Sequence, residues 1–435
     1  MKKWIISLLI LAIQNSIFAQ QIVPVSLSEI EQKSLDQNLQ VQLAQKEAQL
    51  ADAELLQSKS AYLPNVTASY TFTNTNSPLM AFGTKLNQAR ITMMDFNPDQ
   101  LNHPKSINNF NTKIEVQQPL INMDAVYLKK AGQIKADALK IKTERTKEYV
   151  LFELRKAYRM LQLAYKMQET LLNAKATTLA NKKVIDQYFK NGIIQKSEVL
   201  YMDVRVSEID SQLQLAESNI QNASDYLYFL LDEPSKGKIL KPTEALTYNE
   251  TLLTTDTKIN PDRKDLLAYQ KSLEAYDYML KASKSKFLPR LNAFGSFDMN
   301  DKNIASFDAN GYMAGLQLSW NVFDGLKSKS EQEKYKAEIE KTKTQIDAYT
   351  KQSQLELNKA FTQIQDAEAK VHFAQQAWEQ SKEAYRIRKN RYDQGLEKSA
   401  DLLTAETLMS QKELELQQAL FEHNTAVDYF RFLKK

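Results

Sequence analysis

A mainly helical chain with a small β part, built from one duplicated unit, is the fold class the sequence predicts. Three observations carry that expectation. Glycine is scarce, nine in 435 residues, about 2% against ~7% in an average protein. The ten prolines leave residues 120–233 and 290–435 without one, so two very long tracts lack the commonest helix breaker. The same short phrases also recur in the same order along the chain.

The repeat organises the rest. Ser58-Lys59-Ser60-Ala61-Tyr62-Leu63-Pro64 returns as Ser283-Lys284-Ser285-Lys286-Phe287-Leu288-Pro289, displaced by 225. Lys113–Val116 matches Gly315–Leu318, and Leu120-Ile121-Asn122 matches Val322-Phe323-Asp324, both displaced by 202. Phe189–Ile193 matches Tyr392–Leu396, and Glu198-Val199-Leu200 matches Asp401-Leu402-Leu403, displaced by 203. A first repeat over 20–231, a linker over 232–262 and a second repeat over 263–435 follow. The change in displacement falls in the connector 74–108, longer than its counterpart 299–310.

Composition narrows the function. Hydrophobic residues make up 43% and charged residues 25%, enough apolar matter to bury. The formal charge of +4 gives no footing for nucleic-acid binding. Cysteine is absent and histidine occurs only at 103, 372 and 423, so neither a thiolate nor a histidine metal centre is expected. His372 and His423 read as packing or surface groups. No phosphate loop, nucleophile motif or metal cluster is present, so no cofactor and no catalysis are expected.

Element by element, Met1–Ala19 reads as a secretory signal peptide. It has basic Lys2 and Lys3, an apolar run Trp4–Ile13 and a small residue at the cut. The run is shorter than a membrane span requires. A helix over Ser28–Tyr62 follows, opened by a capping-box spacing of Ser28 with Glu31 and closed by Leu63-Pro64. Period-two alternation marks four strands. Val66, Ala68, Tyr70 and Phe72 oppose threonines and Ser69, and Phe110, Ile114 and Val116 oppose polar residues through Gln118. Leu291, Ala293 and Phe297 alternate with polar residues, with Phe294 out of phase; Tyr312–Trp320 alternates throughout. The connector 74–108 reads as a long loop, and 232–262, with Pro234, Pro242 and Pro261, as a linker or collar.

Strands of this length, apolar on one face and small and polar on the other, suit a transmembrane β-barrel. Hydrocarbon does not tolerate open sheet edges, and the smallest closed barrels need about eight strands. Four strands per chain therefore require several copies. Two helices of 67 residues, Asp124–Lys190 and Leu326–Tyr392, would each reach ~100 Å. Along the second, a narrow apolar seam recurs in steps of three and four, as in a coiled coil or a wall with water on one side. Shorter helices, Glu198–Leu231, Arg263–Lys286 and Ser399–Leu433, could stack end to end beside the long ones.

On these phrases the chain resembles the TolC-type outer-membrane efflux factor family. The shared features are Leu63-Pro64 and Leu288-Pro289 before each first strand, Pro119-Leu120-Ile121-Asn122 and Val322-Phe323-Asp324-Gly325 after each second one, and the tip phrases at Gly192 and Gly395. The resemblance implies a homotrimer with a trimeric 12-stranded transmembrane β-barrel, continued by a long periplasmic α-helical barrel. It also implies the role of a passive outer-membrane exit duct of a tripartite efflux or type I secretion system. The partners would be a periplasmic adaptor (membrane fusion) protein, an inner-membrane pump and outer-membrane lipid. A soluble periplasmic adaptor with long α-hairpins is the alternative, although such a protein would carry one hairpin rather than two.

Candidate site residues follow. Gly192 and Gly395 suit left-handed turns at the helix tips. Glu198 and Asp401 open the returning helices, where a carboxylate favours the helix dipole. The resemblance places Asp401 in an acidic ring at the periplasmic aperture. There the sequence departs from the family pattern, with Thr404 where a second aspartate often sits and Glu397 where a basic latch can occur. Pro64, Pro289, Pro119 and Gly325 mark the helix-to-barrel junctions. Tyr70, Phe72, Tyr312 and Trp320 read as a membrane-interface belt.

Overall fold

The computed structural model describes residues 21–248 and 257–435; the leader expected over Met1–Ala19 lies outside them. The described elements, in chain order, begin with β1 (Ile22–Val25), α1 (Leu27–Gln37), α2 (Leu39–Lys59) and β2 (Asn65–Thr75). Next come α3 (Pro78–Asn87), α4 (Pro98–Asn102), β3 (Ile107–Ile121), α5 (Met123–Lys190) and α6 (Lys196–Leu230). The second half holds β4 (Ile239–Pro242), α7 (Lys264–Ser285), β5 (Arg290–Asp301), β6 (Ala309–Ser319), α8 (Lys327–Asp393) and α9 (Ser399–Lys434). The long helices, 68 and 67 residues, match the sequence expectation to within a residue or so at each end. No helix among the described residues is long and apolar enough to cross a membrane.

Four local readings are corrected. The first helix is two: Asn38 leaves helical geometry (ψ 128°), and its side-chain oxygen receives the Gln40 and Val41 amides. It thereby restarts the chain as the N-cap of α2. The capping box is Ser26 with Glu29, not Ser28 with Glu31. The connector 74–108 is not a bare loop but carries α3, a 3-10 turn Met93–Phe96 and α4. Pro119 stands inside β3, at a register shift between Pro119 and Ile121, rather than after the strand, a place where proline's missing N–H is tolerated.

Two compact units are formed, neither following the duplication. Of the described residues, one comprises 21–46, 141–248, 257–267 and Asp347–Lys435; the other comprises Glu47–Lys140 and Ala268–Ile346.

In the first, β1 and β4 pair in parallel, Ile22 with Ile239 through Val25 with Pro242. The segment after the first repeat is thus partly a strand, paired with the first described strand. Val25 and Leu240 join Ile30, Leu154, Tyr158, Leu161 and Leu227 in a buried core. A second core joins Leu357 and Ile364 of α8 to Val427, Phe430 and Leu433 of α9. Beside it Arg263 is only 1% exposed. Its Nε donates to Asp265 (2.7 Å), Nη2 to Ser353 Oγ (2.7 Å) and Nη1 to the Leu433 carbonyl (3.3 Å). Tyr349 donates to the same Asp265 (2.7 Å), and Arg145 lies 3.3 Å from it. Each group on a buried cation is paired, as its desolvation demands. His423, 3% exposed, stacks on Tyr248 at 4.6 Å, and His372 is exposed.

In the second unit a four-stranded antiparallel sheet runs β2-β3-β5-β6. Register puts Val66, Val116, Gly295 and Ala314 in one cross-strand row and Ala68, Ile114, Phe297 and Tyr312 in the next. The intervening rows, Thr67-Glu115-Ser296-Met313 and Ser69-Lys113-Asp298-Gly311, point to the opposite, polar face. The out-of-phase Phe294 is on that polar face, between Gln117 and Gly315. The apolar face is bare: Val66, Tyr312, Leu316 and Leu318 are 61 to 85% exposed. The outer edges of β2 and β6 carry no further strand among the described residues.

Candidate functional site

The residues singled out at the helix tips belong to the first unit. After α5, the Gly192 N–H donates to Phe189 O and the Ile193 N–H to Tyr188 O, both 2.9 Å. After α8, the Gly395 N–H donates to Tyr392 O and the Leu396 N–H to Arg391 O, again both 2.9 Å. This double bond pattern is a Schellman turn, which places the glycine in left-handed geometry; φ is +72° at Gly192 and +74° at Gly395. The repeat displacement of 203 thus reproduces a hydrogen-bond pattern as well as letters.

The two tips are joined side by side. Ile185 of α5, Met202 of α6, Tyr392 of α8 and Leu402 of α9 form one buried cluster, and the Tyr188 and Tyr392 rings stand 5.9 Å apart. Burial, with Tyr188 and Glu198 nearby, pushes the Tyr392 phenol up to about 12, so it stays neutral. Ser399 Oγ donates to Glu198 Oε2 at 2.6 Å. Glu198 therefore ties the start of α6 to the start of α9. Glu397 accepts from Arg388 (2.7 Å) and Arg391 (2.8 Å) of α8, which braces the second tip internally.

Of the four residues expected at an aperture, this geometry separates two kinds. Glu198 and Glu397 are engaged in local bonds. Asp401 stands exposed in the first turn of α9, and exposed Thr404 donates to its own helix at Ala400 O, 2.8 Å. Thr404 also lines a groove of about 410 Å³ together with Tyr201, Val204 and Arg205 of α6 and Leu408 of α9.

Deeper along the same helices is a cluster that sequence reasoning missed. Glu406 of α9 has no exposed surface. It accepts from Thr178 Oγ1 and from Asn181 Nδ2 (3.0 Å), both on α5, and Asn181 Nδ2 also reaches Tyr385 Oη of α8 at 3.2 Å. Burial pushes the Glu406 carboxyl above the ordinary carboxylate range, against those hydrogen bonds and the charge of Arg205. A sequence signal for it is that Thr178 and Asn181 continue the three-and-four spacing of buried Leu171, Ala174 and Ile185 along α5.

At the helix-to-sheet junctions, Leu63 is extended (φ −86°, ψ 154°) before Pro64, and Pro289 precedes Arg290 at the start of β5. Gly325 has φ +68°. Arg290 pairs with Asp124 at 2.7 Å and Gln118 Nε2 donates to Tyr62 O at 2.7 Å. The Trp320 indole, one residue past β6, donates to Phe287 O at 2.9 Å with 63% of the residue exposed. Phe72 and Tyr312 are near the opposite strand ends, whereas Tyr70 stands midway along β2, not near an end. All three are on the apolar face and more than half exposed. Among the described residues no group of His, Asp or Glu could hold a metal ion.

Comparison with known proteins agrees with this architecture. Residues 259–427 match the family described as Outer membrane efflux protein. No curated protein matches the chain. Among solved structures, the Campylobacter jejuni CmeC outer membrane channel superposes with TM-score 0.79 at 16% identity, over 94% of this chain and 85% of that one. The Vibrio cholerae outer membrane protein VceC gives 0.75 at 15%, over 93% and 95%. The open state of the Neisseria gonorrhoeae MtrE outer membrane channel gives 0.74 at 13%, over 94% and 88%. At such identities the likeness concerns the fold.

Proposed function

From the premise that residues 259–427 carry an outer membrane efflux protein domain, we propose that the chain is one third of a passive exit duct in the outer membrane. The observation that carries this reading is the sheet: four strands, a bare apolar face and two edges that carry no further strand among the described residues. A bilayer accepts such a sheet only when its edges are closed. Closure by copies is natural here, because β6 of one protomer runs antiparallel to β2 of the next when strand directions alternate round the ring. Three copies supply twelve strands, an even number as barrels of this class require.

In that assembly the polar rows through Ser69 and Thr67 face water inside the barrel. The helices form a periplasmic wall, and the paired tips at Gly192 and Gly395 surround its far aperture. Asp401, exposed at the second tip of each protomer, gives one carboxylate per copy and three in one ring, which attracts cations as acidic rings do. Glu198 and Glu397 hold the tips in shape rather than contacting cargo. An energised inner-membrane pump and a periplasmic adaptor would deliver substrate to this duct.

Fractionation and size measurement test the reading together. The protein is expected to sediment with outer membrane, to resist salt washing, to require detergent for release and to have a protein mass of three chains. Release by salt as a monomer overturns the duct and favours a soluble adaptor.

A further inference from the structure

The insert between β2 and β3 spans residues 76–106, whereas residues 302–308 suffice to join β5 to β6. It is a folded piece with its own core. Phe82 packs edge-on against Phe96 at 5.7 Å, Lys85 pairs with Asp95 at 2.5 Å, and Ala81 is fully buried. It is also fastened in one place. Gln88, 4% exposed, has its Nε2 at 2.9 Å from Asn108 O, 2.9 Å from Asn109 Oδ1 and 3.0 Å from Asp301 O. Its Oε1 accepts from Arg90 at 2.8 Å. An amide with every polar atom used, in a buried position, fixes its segment.

Register says on which side it is fastened. Asn109 lies opposite Thr73, so its side chain shares the polar face with Thr71, Asn111, Asn300 and Ala309. Asn109 and Asn111 both donate to Asn300 Oδ1, at 2.9 and 3.1 Å. The α3 helix packs against β3 and β6, and Asn300 and Ala309 are 9% and 6% exposed. At the same strand ends, on the apolar face, Phe72 is 56% exposed. The insert therefore covers the polar face at the end of the sheet remote from the helix junctions and leaves the apolar face open.

We infer that this insert is a lid inside the distal mouth of the duct, limiting the size of what passes and presenting an apolar surface to it. The inference rests on the duct reading, in which the polar face is the lumen. Leu79, Met80, Met93, Met94 and Phe96 are 55 to 88% exposed on the insert. Three copies round one exit would line it with flexible methionine and leucine side chains, which adapt to apolar molecules of varied shape. Selection would then operate at the exit as well as at the pump.

The chain has no cysteine, which makes a single engineered thiol a clean reporter. Ser69→Cys places it on the polar face below the insert, at an exposed position. On intact cells, a small membrane-impermeant maleimide is expected to label it, and a long polyethylene-glycol maleimide to label it hardly at all. Removing residues 77–105 in favour of a short Gly-Ser turn should speed labelling by the long reagent about tenfold or more. Gln88→Ala, which frees the insert without shortening the chain, should speed it in the same direction and decides the matter if the shortened chain does not assemble. Equal labelling by the long reagent with the insert present, freed or removed overturns the lid while leaving the duct intact. Failure of the small reagent to label from outside even with the insert removed overturns the duct reading, and the lid with it.

Discussion

Phe294 lies across Gly315, so that a Cβ built at position 315 would stand 2.9 Å from the ring Cζ. The pair faces each other on adjacent strands, with Gly315 on the free-edged strand β6. An aromatic ring laid over a cross-strand glycine shields the exposed backbone there. This explains why one residue of β5 breaks the alternation. Gly315→Val must displace the ring and is expected to cost ~1–3 kcal/mol, read as a lower unfolding temperature of the detergent-solubilised protein. In a Phe294→Ala background the same substitution should cost much less; an equal cost in both backgrounds removes the ring as its cause.

Asp265 holds three partners, Arg263, Tyr349 and Arg145, around a buried cation. Asp265→Asn leaves the Arg263 charge without its carboxylate and should cost ~3–5 kcal/mol at neutral pH. Burial opposes ionisation of Asp265, but the hydrogen bonds from Arg263 and Tyr349 and the charge of Arg145 outweigh it and hold the carboxyl below its usual 3.8. A depressed carboxylate stabilises above its unfolded pKa and loses that contribution as pH falls through the folded one. The gap between parent and variant should therefore be full at pH 6, narrow below pH 3.8, and be measurable by thermal unfolding across that range.

Glu406 behaves in the opposite sense. Its folded pKa is raised above 4.5 chiefly by burial, so the folded state prefers the protonated acid, and ionisation at neutral pH costs stability. The groups facing it are Thr178 and Asn181 on α5, with the charge of Arg205 on α6. Glu406→Gln is expected to stabilise the helical unit at pH 7 to 8, and this gain should disappear below pH 4.5. A gain independent of pH would mean that packing, not charge, distinguishes the two side chains.

The legible parts of the fold were those with a local physical cause. Gly192 and Gly395 could be placed at turns because left-handed geometry there strains any residue with a Cβ. The long helices were visible through the absence of breakers, and the sheet faces through period-two alternation. Ser26-Glu29 and Ser28-Glu31 offer the same box spacing, and only the geometry of the chain entering α1 chooses between them. Pro78 and Pro98 read as loop markers, yet both occupy the first helical position, where the missing N–H costs nothing. The strands β1 and β4, four residues each with Pro24 and Pro242 inside them, are too short for periodicity. Arg263 and Glu406 depend on partners up to 228 residues away, which no local pattern reports.

Asp401 provides the last prediction, because it separates a capping role from a ring. Both roles place a carboxylate in the first turn of α9, where it favours the helix N-terminus. Capping alone predicts that Asp401→Ala costs some ~0.3–1 kcal/mol and leaves conduction unchanged. A ring of three exposed carboxylates predicts more: divalent cations bind it and impede ion flow, and the block is relieved when the charge is removed. The measurement is single-channel conductance in planar bilayers as magnesium or a transition-metal ion is added from the periplasmic side. Relief of the block in Asp401→Ala, with Asp401→Glu still blocked, assigns the ring. Glu198→Gln serves as the contrast, since its carboxylate accepts from Ser399. It should weaken tip packing and leave the block in place. Unchanged inhibition in Asp401→Ala would remove Asp401 from the conducting path.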